Sequence, residues 1–431
     1  MPTDQFALPV TTSSPVALEA YDQAVHGLLG WDGATLDMFN RALEADPDFA
    51  LAHAGVGVCH FLDERFAQAR TAVERARASA AGATVRERGH VEAMVQLIAG
   101  RPDQAERAMR EHLASYPRDL AVVQRLYFIW FWQGRFPEML ELTGDLVRHY
   151  PGNSFMLGLH AFALEEARRF PEAFATAEVA VARNPRDAWS VHALAHTVYE
   201  MGAARAGISL LPPAIHPCTH LGWFRNHLLW HLALMHFACG DYERASRMSR
   251  AAFERRPSSV PGNLHDSISL LWRLDLCGEM VGERWRPFAA IARERLNRQG
   301  LLFHAAHLAM ALAGAGDWAT AEQQLGMLRE RGSKDRTGLV GDVLIPLIEG
   351  LGAFATADYR RAVEKIEPLR PRIVELGGSR AQRDVFHDTF LEACFRAGDS
   401  GRAERVLAER VARRADTYWL TRKEHAGRAA S

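Results

Sequence analysis

Histidines four residues apart share one side of a helix, and this chain places such pairs on two neighbouring segments. In DAWSVHALAHTVYEMG, His192, His196 and Glu200 recur every four residues, and in HLGWFRNHLLWHLALMHFACG the same spacing joins His227 to His231. Two adjacent titratable ladders point to a shared site, and three kinds of chemistry suit it. A groove for a peptide or small molecule would use the imidazoles, Tyr199, Trp230 and Glu200 as hydrogen-bonding and stacking surface. A divalent metal would take His192, His196, Glu200, His227 and His231 as nitrogen and oxygen ligands. Metal-free acid–base catalysis would use Glu200 with His231 or His227, and Asp266 to orient the partner imidazole. The plain alternative is that these groups satisfy one another across an inter-repeat contact.

A second stretch, GGSRAQRDVFHDTF over 377–390, breaks a helix with two glycines and caps the next with Ser379. Arg383 then stands at a helix start, where it could reach a ligand carboxylate or phosphate, or tie the last repeats together through an acidic partner. The chain has no GxxxxGK[ST], no complete GxGxxG and no GxSxG. Nucleotide binding by the usual loops and hydrolase chemistry of the nucleophile-elbow type are therefore disfavoured.

The elements that must position these residues are helices. Period-2 alternation is nearly absent, while Ala, Leu, Arg and Glu dominate. The 431 residues exceed the usual single globular domain. Pro117, Pro151 and Pro185 are 34 residues apart, and turns ending in Phe136 and Phe170 keep the same spacing. Related turns recur at Phe66, Tyr242, Trp318 and Tyr359. A helix, a short turn with an aromatic, a second helix and a proline exit make a repeat solenoid unit.

Charge is balanced, with Lys+Arg of 51 against Asp+Glu of 52, which argues against a nucleic-acid partner. Five cysteines without a CxxC pair argue against disulfide scaffolding and a zinc ribbon. The N-terminal stretch lacks a basic region followed by an apolar one, and the most apolar run, 126–132, is too short to span a bilayer. A cytoplasmic protein with no membrane partner is the expectation.

In PRDLAVVQRLYFIWFWQGRFPEMLELTGDLVRHYP, Leu126, Trp130, Gly134, Phe136, Leu146 and Pro151 fall at or near the signature places of the tetratricopeptide repeat (TPR), which the chain resembles. Tyr127 departs from that pattern, where the family prefers a small residue. The stretches TTSSPVALEAYDQAV, HALAHTVYEMG, HLLWHLALMHFACGDYE and GGSRAQRDVF look like the tetratricopeptide repeat protein 38 family in particular. The resemblance implies an all-α, right-handed solenoid of helical hairpins with first helices lining a concave interior. It also implies that His192, His196, Tyr199 and Glu200 face inward, with His90, His227, His231, His265 and His307 on the same wall. His53, His60 and His160 count to packing places, and His112, His149 and His425 to second helices or the tail, where they are expected in solvent.

These readings combine into one expectation. Residues 1–34 are a lead-in and first helix, 35–415 one continuous solenoid of roughly ten hairpins, and 416–431 a tail. The expected function is binding of a small molecule or peptide in the His-rich interior near 190–310, with His192, His196, Tyr199, His227, Trp230, His265, His307 and Arg383 as contacts. An enzyme using the same cluster through Glu200, His231 and Asp266 is the alternative, and a protein-assembly scaffold the third. No cofactor follows from the residues beyond the divalent metal of the second reading.

Overall fold

A computed structural model describes residues 1–150, 152–298 and 300–422. The period marker Pro151 and His425 lie outside the described residues. The chain is an all-α solenoid of helical hairpins, without a named strand among the described residues. The first four hairpins are α1–α2 (Pro15–Gly30, Thr35–Ala45), α3–α4 (Ala50–Leu62, Phe66–Ser79), α5–α6 (Val85–Ile98, Pro102–Ser115) and α7–α8 (Leu120–Phe131, Phe136–Leu146). Next come α9–α10 (Ser154–Glu166, Phe170–Arg183), α11–α12 (Ala188–Glu200, Ala204–Ile215), α13–α14 (Phe224–Ala238, Tyr242–Ser249) and α15–α16 (Pro261–Leu276, Arg286–Glu294). The last three are α17–α18 (Leu302–Gly314, Trp318–Gly332), α19–α20 (Ile345–Ala355, Tyr359–Ile366) and α21–α22 (Arg380–Arg396, Ser400–Arg413).

The turn inside each hairpin needs a left-handed residue. Gly134 supplies it at φ 67°, and one period later Arg168 holds the same conformation at φ 63°. First and second helices then divide the labour. Every residue of α11 is buried, and so is every residue of α15 except Asp275. By contrast α10 buries only Ala173, Ala177 and Ala180, a single stripe at helical spacing. First helices therefore form an inner layer and second helices an outer one.

The first helices line the interior as expected, and the chain fills that hollow itself rather than leaving an open groove. From the N-terminal side Trp31 stacks on Phe224 at 4.7 Å between centroids, and the Gly33 N–H donates to the His220 carbonyl at 3.0 Å. From the C-terminal side α21 enters. The Arg380 N–H donates to Glu166 at 2.7 Å, Arg273 donates to the Ala381 carbonyl at 2.7 Å, and the Trp272 indole donates to Thr389 at 2.9 Å. Between the first four hairpins a cavity of about 10 Å³ is left beside Tyr21, Leu51, Met94 and Arg125, room for one water. Among the described residues no helix is long and apolar enough to cross a membrane.

Arg414, just beyond α22, locks this closure. Its guanidinium donates to Glu200 Oε1 at 2.9 Å, the Tyr199 hydroxyl at 2.8 Å and Asp384 Oδ2 at 2.8 Å, and it pairs with Asp416. It also lies 3.7 Å from the centroid of the Tyr199 ring. All three carboxylates are buried; Asp384 and Asp416 keep Arg413 and Arg410 as second partners, so removing the cation deprives Glu200 above all, which loses its closest guanidinium. Arg414→Met is expected to cost about 3–5 kcal/mol, read as a lower urea midpoint. Glu200→Gln, which keeps an acceptor for the same donor, is expected to cost less.

Candidate functional site

Four first-helix imidazoles meet behind this closure. His192 and His196 come from α11, His227 and His231 from α13, and one nitrogen of each lies within 4.8 Å of the others. The pairs are repeat equivalents set 35 residues apart, so stacking one hairpin on the next superimposes the ladders. All four residues are buried, His196 and His231 completely. Aromatic rings wall the cluster: Phe162 stacks on His192 at 5.3 Å, Trp189 lies 4.6 Å from it, and Trp230 lies edge-on to His231 at 4.8 Å.

The hydrogen bonds inside the cluster are few. His192 Nε2 and His227 Nε2 are 2.9 Å apart, and His227 Nδ1 meets Asp266 Oδ2 at 2.7 Å. His192 Nδ1 and both ring nitrogens of His196 and His231 have no hydrogen-bond partner among the described residues. Behind His196 stands Glu165, with Oε2 3.6 Å from His196 Nδ1 and neither oxygen hydrogen-bonded. Burial, reinforced by neighbouring imidazoles, holds His192, His196 and His231 well below the ordinary histidine value. Burial alone would raise the Asp266 carboxyl, but His227 and His265 outweigh it and hold the group down.

Asp266 links this cluster to a second group. Its Oδ1 lies 3.1 Å from His265 Nε2, which also meets the Gln382 side chain at 2.9 Å. His265 stacks on His304 at 5.0 Å and lies 5.6 Å from His307, whose Nδ1 donates to the Phe303 carbonyl at 2.8 Å. Burial lowers His304 strongly and His307 to about 3.

Several expected site residues lie elsewhere. Glu200, placed with the imidazoles as metal ligand and proton carrier, is committed to Arg414; one turn beyond His196, it reaches the C-terminal latch instead. Tyr199 belongs to the same latch. Arg383 lies 3.4 Å from Glu166 and over the Phe136 ring, so it ties late repeats to early ones rather than reaching into a groove. Trp230 adjoins the cluster but spends its indole N–H on Ser269 at 3.2 Å. His112, expected in solvent, is buried and meets Asp119 at 3.0 Å. The sequence reading passed over Glu165, His304 and Arg414. Repeat equivalence signals one of them: Glu165 stands one 34-residue period before Tyr199, at an inward place.

The buried imidazoles predict a pH dependence. A histidine held below its unfolded value of about 6.5 contributes stability that is whole above that value. The contribution is lost on acidification, because the unfolded chain takes up a proton that the folded chain refuses. For ligand-free protein the urea midpoint is expected to fall from pH 6.5 downward, by up to about 1.4 kcal/mol per pH unit for each such imidazole. A midpoint unchanged between pH 7 and 5 would contradict the buried neutral cluster.

A sequence model of the tetratricopeptide repeat matches residues 89–111, 226–251 and 302–326. These segments run through α5–α6, α13–α14 and α17–α18. Among solved structures, a MamA mutant overlaps with a TM-score of 0.28 at 18% identity, over 38% of this chain and 90% of that one. MamA MSR-1 C2 gives 0.28 and 18% over 39% and 95%. YrrB, described as a TPR protein with an unusual peptide-binding site, gives 0.26 and 17% over 40% and 87%. Overlaps this shallow carry no argument about the whole coil. The chain is therefore a helical-repeat protein in which three segments match the tetratricopeptide repeat.

Proposed function

We propose that this chain is a ligand-binding helical-repeat protein whose ligand is small and enclosed among His192, His196, His227 and His231, rather than a peptide laid along an open wall. One observation carries the reading: five buried ring nitrogens of this cluster lack a hydrogen-bond partner among the described residues. An unsatisfied buried polar group costs about 1–3 kcal/mol, so five together approach the net stability of a whole domain. A ligand that engages them removes that cost. The aromatic wall and the filled hollow favour something compact over an extended chain. A cytoplasmic setting, and the closer likeness to the tetratricopeptide repeat protein 38 family, belong to the same reading and rest on the sequence stretches that suggest them.

Intact mass measured under native and then denaturing conditions tests the proposal, and a mass difference lost on denaturation is expected. The double variant His196→Leu/His231→Leu is expected to lose that difference. It should also unfold at the same or a higher urea concentration than ligand-free wild type, since apolar groups of similar size replace unsatisfied ones. No mass difference, together with a loss of about 2–5 kcal/mol as in an ordinary core truncation, would make the imidazoles packing alone.

A further inference from the structure

We infer that His192, His196, His227 and His231 form a four-nitrogen site for one divalent transition-metal ion, with Asp266 and Glu165 as the outer partners of two ligands. This rests on the enclosed-ligand reading above and names the ligand. A tetrahedral ion with metal–nitrogen bonds of about 2.0–2.1 Å holds its ligands roughly 3.4 Å apart. The four nitrogens, all within 4.8 Å of one another with the tightest pair at 2.9 Å, already bracket that spacing. Small ring rotations would complete the shell.

The outer groups add a second, independent observation. Metal-bound imidazoles characteristically give their other nitrogen to a carboxylate, which fixes the tautomer and aims the free lone pair at the ion. Asp266 does this for His227: its oxygen takes the Nδ1–H, and the Nε2 lone pair faces His192. Glu165 stands behind His196 at 3.6 Å, and neither of its oxygens is hydrogen-bonded among the described residues. Imidazole nitrogens select zinc, copper, iron or nickel over magnesium and calcium, which require oxygen ligands.

A second buried histidine cluster shows what a purely structural arrangement looks like. His90 Nδ1 and His112 Nε2 meet Asp119 Oδ2 at 3.0 Å each, and Arg86 Nε donates to the same oxygen at 2.9 Å. Arg86 also reaches Asp4. There the carboxylate already has its cation, and the nitrogens that converge are spent on it. In the four-histidine cluster no guanidinium intervenes, and the converging nitrogens face one another.

Elemental analysis of protein purified without chelator should find about one transition-metal ion per chain, equal to the native mass difference. Protein stripped and refolded with Co²⁺ should show the visible bands of a tetrahedral nitrogen site. His196→Leu/His231→Leu should abolish both signals, and His112→Gln should leave both unchanged. His231→Cys should retain Co²⁺ and add thiolate-to-metal charge transfer, which reports coordination directly even where the leucine variant folds poorly. Asp266→Asn, a positioning change, should weaken metal affinity about 10–100-fold while full loading remains attainable at high metal. A native mass difference of organic origin, with neither metal nor Co²⁺ bands in folded wild type, would overturn the metal assignment and leave the enclosed-ligand reading standing. Absence of any mass difference and any metal would overturn both.

Discussion

Arg414 is the cation on which the closed interior depends. A guanidinium taken wholly out of water is tolerated only when its donors meet acceptors in good geometry, and here Glu200, Asp384, Asp416 and the Tyr199 hydroxyl surround it. These partners come from hairpins far apart in sequence. Satisfying one charge therefore pulls the end of the chain onto its middle. Together with the α21 contacts to Glu166 and Arg273, that pull covers first helices that in stacked hairpins ordinarily face solvent along a concave wall.

Closure changes the meaning of every inward-facing side chain. On an open wall, His192 and His231 would be solvated groups ready for a passing peptide. Behind α21 and the Trp31 stack, they are imidazoles held neutral by burial, and each must find a partner among its neighbours. Asp266 meets that demand for His227 through Oδ2, while its Oδ1 lies 3.1 Å from His265 Nε2 without a hydrogen bond. His196 has only Glu165 nearby, at more than hydrogen-bonding distance, and His231 has no partner at all. The contrast with the Asp119 cluster is one of charge. Arg86 was built into the first, and a cation from outside would play that part in the second.

Much of this was legible in residue spacing. The 34-residue period announced hairpins, and the i, i+4 histidines of consecutive hairpins had to lie on one side of their helices, so their convergence followed from stacking. The turn glycines did the same, and Arg168 keeps the Gly134 conformation because the repeat demands it. Asp266 was named as an orienting acid and meets His227, but spacing could not convey that Glu165 rather than Glu200 would stand with the imidazoles beside it. Glu200 continues the His192–His196 ladder by one turn, yet α11 ends there and the C-terminal latch claims it. Glu165 shows no ladder of its own and reaches the site from the preceding hairpin. Arg383 and Arg414 gave no local sign of their partners, which lie more than two hundred residues away.

By itself, then, the sequence determined the helical class, the hairpin repeat and the facing of two histidine pairs, because these depend on periodicity within about forty residues. Only the tertiary structure decided that the hollow is filled, that Glu165 joins Asp266 beside the imidazoles while Glu200 does not, and that the cluster is sealed from solvent. The reason is physical. Helical period is a local property of the backbone, whereas the pairing of buried charges is settled by which distant segments can reach one another once the coil has closed.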